Sequence, residues 1–538
     1  MPHTTAIALL LSFATAWLSA QPPAPPAPPP PKPPPMIRTV LDAAGRPYSL
    51  LDNNEELTLR VTALPPDAKL DFMEADGALI ITAARGAQLR IAFPRESFAG
   101  GTAAIGGALS TLGPRQQRLP QASATQAVLH GPAGRVTLTT STPRLLSIED
   151  RWERRARTYS FTVELAGGPV EASLAFTSTP DTAPASLLVH PDQLRARFHG
   201  FGGNYCWPAM SSVTLYTLAN IKSAWARVEM SLEDWEPQND NDDSSTVNWE
   251  VLKSHDRPNS RLRNQLLTAL EIQKKGIPYV ASIWWLPEWI YANPNQQPRS
   301  DHRRRVAIDK WDELLESIGS YLLYAKQQYG VEPDLFSFNE ANIGVYLFLD
   351  PEEHRQALIS IGRHLRKLGL KTKMLLADAT GPDGTYTYAL PAASDPEALA
   401  FCGAISFHSW GGASPDMYKA WGDLAEWTGL PLLVAEMGVD SAAYRSRSYD
   451  SYAYGLRELR MQQELIIHAR PQSLLFWQYT EDYALAKSTP NSGGSPLVEP
   501  TPRFWLMQQL ANLTPMQSDS LVTASNHPNV LVTAFRSG

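Results

Sequence analysis

The chain has 538 residues, with 47 lysines and arginines against 54 aspartates and glutamates, and a formal net charge of −7. That length is more than one small core organises, and it predicts one large domain with one or two smaller ones. The mildly acidic balance carries no basic stripe, so a nucleic-acid partner has no electrostatic support and a neutral substrate is expected.

Residues 1–20 hold an apolar run, 6–14, followed by Trp17-Leu18-Ser19-Ala20 ahead of Gln21. This reads as a secretory signal with its cleavage site, although His3 stands where a Lys or Arg is usual. The run is too short for a membrane span, and the expected destination is secreted or periplasmic. Residues 21–35 are almost entirely Pro and Ala, which predicts an extended, disordered spacer. From 36 to 193 short alternating runs such as 78–83, 135–140 and 159–164 are separated by Gly, Pro, Asp and Ser. They predict an accessory antiparallel β-sandwich domain.

Beyond 193 the texture changes to strands alternating with amphipathic helices, which predicts an α/β domain over 194–510. Eight strand candidates fall at 194–200, 224–229, 279–284, 335–339, 373–377, 404–407, 432–436 and 474–478. Between the fourth and fifth, Asp350-Pro351-Glu352-Glu353 supplies an N-cap, a Pro at the first helical position and an acidic first turn; Gly369 stops that helix. Eight such units predict a (β/α)8 TIM barrel, with a doubly wound sheet as the alternative. After 510 two further strands, within 511–538, are expected to join a β-sandwich, unless the chain continues past its last residue.

In a barrel of this kind chemistry sits at the C-terminal ends of the strands. Two strands end there on a glutamate: Leu335-Phe336-Ser337-Phe338 runs into Asn339-Glu340, and Leu432-Leu433-Val434-Ala435 into Glu436. Two carboxylates on one rim point to acid/base chemistry. The rim has no His/Asp set with metal spacing and no phosphate loop, so neither metal nor cofactor is expected. The acidic stretch Asp240-Asn241-Asp242-Asp243 matches no calcium loop and reads as a solvated turn. Thirteen of the fifteen tryptophans lie between Trp207 and Trp505, enough to fill a core and still face a flat ligand. The two cysteines, Cys206 and Cys402, fall near opposite ends of the barrel and are not expected to bond.

Taken in order, Gly200-Phe201-Gly202-Gly203, Trp284-Trp285-Leu286-Pro287-Glu288-Trp289, Asn339-Glu340, His408, Glu436 and Trp477 resemble the retaining glycoside hydrolases of clan A. Glycoside hydrolase family 30 and its relatives look nearest. The resemblance covers about residues 198–510, and its specificity lies in six motifs in order rather than in any one. It implies an O-glycosyl hydrolase acting on an oligo- or polysaccharide, with Glu340 as acid/base and Glu436 as nucleophile. The β region ahead of the barrel departs from family 30, whose sandwich is built mostly from sequence after it.

Around those two carboxylates, Arg227 is expected to hold Glu436 ionised, unless it pairs with Glu229 instead. Asn339 is expected to bond a sugar hydroxyl, and His408 to orient a carboxylate. Trp477 is the expected floor of the sugar site, with Trp284 and Trp410 as walls. A transglycosylase would use the same residues; a non-catalytic glycan-binding protein would keep the tryptophans and lose a carboxylate.

Overall fold

Seven of the eight runs, together with a strand that begins where the first was expected to end, close into a parallel barrel whose strands are almost wholly buried. In chain order its strands are β1 (Gly200–Tyr205), β2 (Ala226–Glu229), β3 (Tyr279–Ile283), β4 (Leu335–Phe338), β5 (Lys373–Ala379), β6 (Cys402–His408), β7 (Leu432–Met437) and β8 (Ser473–Phe476). Closure is made by β1 on β8, with Gly200 opposite Ser473 and Gly203 opposite Phe476. In this computed structural model the described residues are 39–41, 47–50, 58–63, 69–73, 78–83, 89–94, 101–112, 118–131, 134–153, 158–166, 170–178, 184–294, 303–439, 449, 452–491, 494–526 and 530–537. The expected signal segment and Pro/Ala spacer lie outside them.

Two apolar layers make the core. Inside the barrel Val280, Leu335, Leu375, Ala404, Leu433 and Ala435 pack together. Outside it, strands and helices share a much larger cluster that includes Phe336, Phe338, Leu358, Ile361 and Leu365. Helix Pro351–Lys367 begins as its sequence predicts: the Asp350 carboxylate accepts the N–H groups of Glu352 and Glu353, and the Glu353 carboxylate accepts the N–H of Asp350. Gly369, at φ +73°, follows its end.

The first barrel strand differs from expectation. Residues 187–198 form a separate strand, Leu187–Phe198, which pairs antiparallel with Ser518–Ser525; the latter also carries Phe535–Arg536. The C-terminal strands thus join the stretch that leads into the barrel, and β1 starts only at Gly200. Ahead of that stretch the described residues form an N-terminal β domain of twelve strands, which among them are antiparallel except where Thr39–Leu41 runs alongside Thr58–Ala63. Its long strand Gly134–Glu153 ties the network together, pairing first with Val170–Ser178 and then with Thr158–Ala166. Among the described residues no helix is long and apolar enough to cross a membrane.

Candidate active site

At the C-terminal end of the barrel, strands stop being apolar and start presenting acids. After Phe338 the chain turns: the N–H of Asn339 still bonds Ile283 O at 2.8 Å, while Glu340 adopts left-handed backbone, φ +47°. On β5, Ala377 and Asp378 are left-handed as well, at φ +75° and +48°, and the register with β6 slips there. That bulge turns the Asp378 side chain under the rim rather than outward.

Arg227, fully buried on β2, is the centre of the polar network. Its Nη1 donates to Glu436 Oε1 at 2.8 Å and to Asn204 Oδ1 at 3.1 Å. Its Nη2 donates to Asn339 Oδ1 at 2.7 Å, Asp378 Oδ2 at 2.9 Å and Ser282 Oγ at 3.0 Å. The face of the guanidinium lies 4.4 Å from the Trp284 ring. The alternative pairing with Glu229 is not made, because Glu229 bonds Arg261. Burial would weaken the Arg227 charge, but Asp378 and Glu436 more than restore it.

His408 is equally buried and has carboxylates at both ring nitrogens. Nε2 lies 3.0 Å from Asp378 Oδ1, and Nδ1 lies 2.9 Å from Glu340 Oε1 and 3.3 Å from Glu436 Oε2. Burial opposes its charge, yet Glu436 and Asp378 raise its pKa to about 10, so the ring is an imidazolium at neutral pH. Burial would likewise raise Asp378, but Arg227 and His408 hold its carboxyl well below the usual range. For Glu436 burial wins: it pushes the carboxyl up, Glu340 adds to the rise, and His408, Arg227 and the Trp410 indole N–H at 2.9 Å pull against it.

Two cations, Arg227 and His408, face three carboxylates. Asp378 and Glu436 each touch both cations, whereas Glu340 touches only His408 and is the more open to the cleft, its side chain 13% exposed. A cleft of about 980 Å3 lies above them. Of the residues singled out in the sequence, Asn339, Glu340, Glu436, Trp284, Trp410 and Trp477 line it. Trp284 and Trp410 flank Trp477, with ring centres at 6.0 and 6.4 Å.

Arg227 and His408 are 0% exposed and lie beneath the carboxylates, Arg227 against Glu436 and His408 against Glu340 and Glu436. Cys206 also lines the cleft, but burial pushes its thiol well above the ordinary value, which removes it as a nucleophile. Both cysteines are free, and Cys402 opens β6 at the opposite end of the barrel.

The sequence reading did not place Asp378 in the site, although it stands right after the apolar run of β5. It accepts from Arg227, His408, Ser337 at 2.7 Å and, more weakly, Ser406 at 3.3 Å. Asn204 was passed over too; its amide donates to the carbonyls of Ala435, Leu475 and Phe476 while its oxygen receives Arg227. Trp207, Trp285, Tyr346 and Tyr483 add aromatic lining from loops whose path the sequence does not reveal.

No protein-family model matches the chain, and no curated protein does. Solved structures do share its architecture. An endoxylanase of glycoside hydrolase family 30 from Clostridium papyrosolvens C71 is similar at TM-score 0.51 and 16% identity, over 65% of this chain and 82% of that one. A family 30 subfamily 8 xylanase from Clostridium acetobutylicum gives 0.50 and 14%, over 65% and 81%. SrfJ from Salmonella typhimurium gives 0.50 and 15%, over 68% and 86%. At these identities what the chain shares with the family 30 enzymes is their (β/α)8 barrel fold.

Proposed function

We propose that the chain is a retaining O-glycosyl hydrolase that cleaves a neutral oligo- or polysaccharide through a glycosyl-enzyme intermediate. The observation that carries this reading is the meeting of Glu340 and Glu436: a carboxylate oxygen of each lies within 4.8 Å of the other, and both face one nitrogen of His408. Retaining enzymes hold their carboxyl groups about 5–5.5 Å apart, whereas inverting ones leave about 6.5–9.5 Å for a water.

In the first step Glu436 attacks the anomeric carbon as the bond to the leaving oxygen breaks, and Glu340 gives that oxygen its proton. In the second step Glu340 takes a proton from water, which attacks the same carbon and frees Glu436. Arg227 holds one Glu436 oxygen and Trp410 the other, which aims the carboxylate and stabilises the charge it regains. Asn339, anchored through Oδ1 on Arg227, keeps its amide N–H groups to donate to a sugar hydroxyl beside the reacting carbon. The tryptophan group around Trp477 offers stacking surface to a sugar ring.

The test is a panel of polysaccharides and aryl glycosides, with the anomeric configuration of the first product followed by NMR. Retention supports the reading and inversion removes it. The apolar run at 6–14 and the small residues ahead of Gln21 support export as well; fractionating cells that express the full chain tests this.

A further inference from the structure

A second group of carboxylates, unused by the proposed chemistry, lies between helix Trp311–Tyr324 and the chain that follows β2. Glu313 and Glu316 stand three residues apart on one side of that helix, 7% and 4% exposed. Glu236, 1% exposed, is fixed against the same side: Ser317 Oγ donates to its Oε2, and the N–H of Asp240 donates to its Oε1 at 3.2 Å. Asp240 completes the group, its oxygens accepting from Asn241 Nδ2 at 2.8 Å and from the N–H of Asn248.

Among the described residues none of these four acids has an ion pair. The charges that act most strongly on Glu316 are Asp240, Glu236, Glu313 and Asp243, all negative; Glu313 has Lys310 as a cationic neighbour and a hydrogen bond from the Asn239 side chain. Both oxygens of Glu316, Oε2 of Glu313 and Oδ1 of Asn239 are buried with no hydrogen-bond partner. All four are acceptors. Folded chains leave few buried polar atoms unsatisfied, and a buried carboxylate oxygen without donor or cation is strongly disfavoured.

We propose that this pocket binds a hard divalent cation, with Glu316, Glu313 and the Asn239 amide oxygen as its protein ligands. Oxygen-only donors, carboxylates and an amide, are the chemistry of Ca2+ and Mg2+. Among the described residues three carboxylate or imidazole ligand atoms come within 4.8 Å of one another only at Glu340, His408 and Glu436. In the acidic pocket, then, no more than two carboxylates reach one ion directly, and water completes its shell, as such ions often allow. The ion ties the helix to the β2 loop. Through the bond of Trp289 Nε1 to Glu236 O, 3.0 Å, it also steadies the segment that carries Trp284 and Trp285 into the cleft.

The experiment strips the full chain with a chelator, then titrates CaCl2 and, separately, MgCl2, following heat of binding and the thermal midpoint. One saturable site per chain is expected, and the midpoint rises by a few degrees once the ion exceeds its Kd about a hundredfold. Glu316→Gln and Glu313→Gln should each weaken binding by about tenfold or more. Glu316→Gln should leave the stripped midpoint as high as wild type or higher, since an amide relieves the repulsion. No heat and no shift with either ion overturns the proposal and leaves protons as what neutralises the pocket. A shift that survives undiminished in both variants places the ion elsewhere and overturns it equally. Neither readout depends on glycoside hydrolysis.

Discussion

The carbonyl oxygen of Asp378 accepts the backbone N–H of Glu340 at 3.1 Å, and both residues hold left-handed backbone, at φ +48° and +47°. Such backbone costs a non-glycine residue about 1 kcal/mol or more and persists only where its surroundings enforce it. Here the main chain of Asp378 fixes the turn that presents Glu340, while its side chain holds Arg227 and His408. Asp378→Asn keeps the shape and removes the charge. It should lower kcat about 100-fold, the scale of a small misplacement of catalytic groups, with a smaller change in KM. Steady-state kinetics on the best substrate checks this; unchanged kcat would mean that Asp378 only fills the core.

The raised pKa of His408 predicts a pH dependence of stability. Its folded value, about 10, lies above the ordinary 6.5, so folding gains from its protonation. That contribution is fully present below pH 6.5 and is lost progressively as pH rises towards 10. The wild-type thermal midpoint should therefore fall across this window more steeply than that of His408→Gln. Parallel slopes would show that the imidazolium is not held by its carboxylates.

His354, from helix Pro351–Lys367, braces the same bulge from outside the barrel. Its Nε2 accepts the N–H of Ala377 at 3.0 Å, which requires a neutral ring, and burial lowers its pKa to about 4. His354→Leu leaves that N–H unpaired, at a cost of about 1–3 kcal/mol, and should loosen Asp378. His354→Gln can still accept. The leucine variant should lose kcat about tenfold with a smaller change in KM, and the glutamine variant should recover most of it. Equal kcat in both, corrected for the folded fraction, would reduce His354 to packing.

The readable parts of this chain are those where one local rule suffices. Asp350-Pro351-Glu352-Glu353 announces a helix start because capping is decided within four residues, and the capping box is present. Glu340 and Glu436 are legible because an acid directly after a buried run has few other uses. Asp378 had the same position, directly after the apolar run of β5, but its importance comes from a register slip and two left-handed residues that nothing in Leu375-Leu376-Ala377-Asp378 signals. The pairing of Leu187–Phe198 with Ser518–Ser525 was beyond reach for another reason: the partners are more than 300 residues apart, and alternation does not name a partner. The 194–200 run was alternating and apolar enough to pass for a barrel strand.

Gly438 offers a steric test of the nucleophile's setting. A Cβ there would lie 2.2 Å from Cζ3 of Trp410, so Gly438→Ala must displace the indole whose N–H bonds Glu436 Oε2 at 2.9 Å. Loss of one such donor beside a reacting carboxylate is worth about 100-fold in kcat. The prediction is a chain that folds, by circular dichroism, yet turns over about 100-fold more slowly. Wild-type kcat in a folded variant would remove Trp410 from the catalytic step.

The most direct measurement is chemical rescue of the two glutamates by azide, read as the configuration of the product. Glu436→Ala should abolish turnover, and azide should enter the space left by the carboxylate to give a glycosyl azide of inverted configuration. Glu340→Ala should still form the glycosyl-enzyme from substrates with activated leaving groups, which need little protonation, and azide should then give retained configuration. The opposite pattern would exchange the two roles. Wild-type activity in both variants would contradict the account.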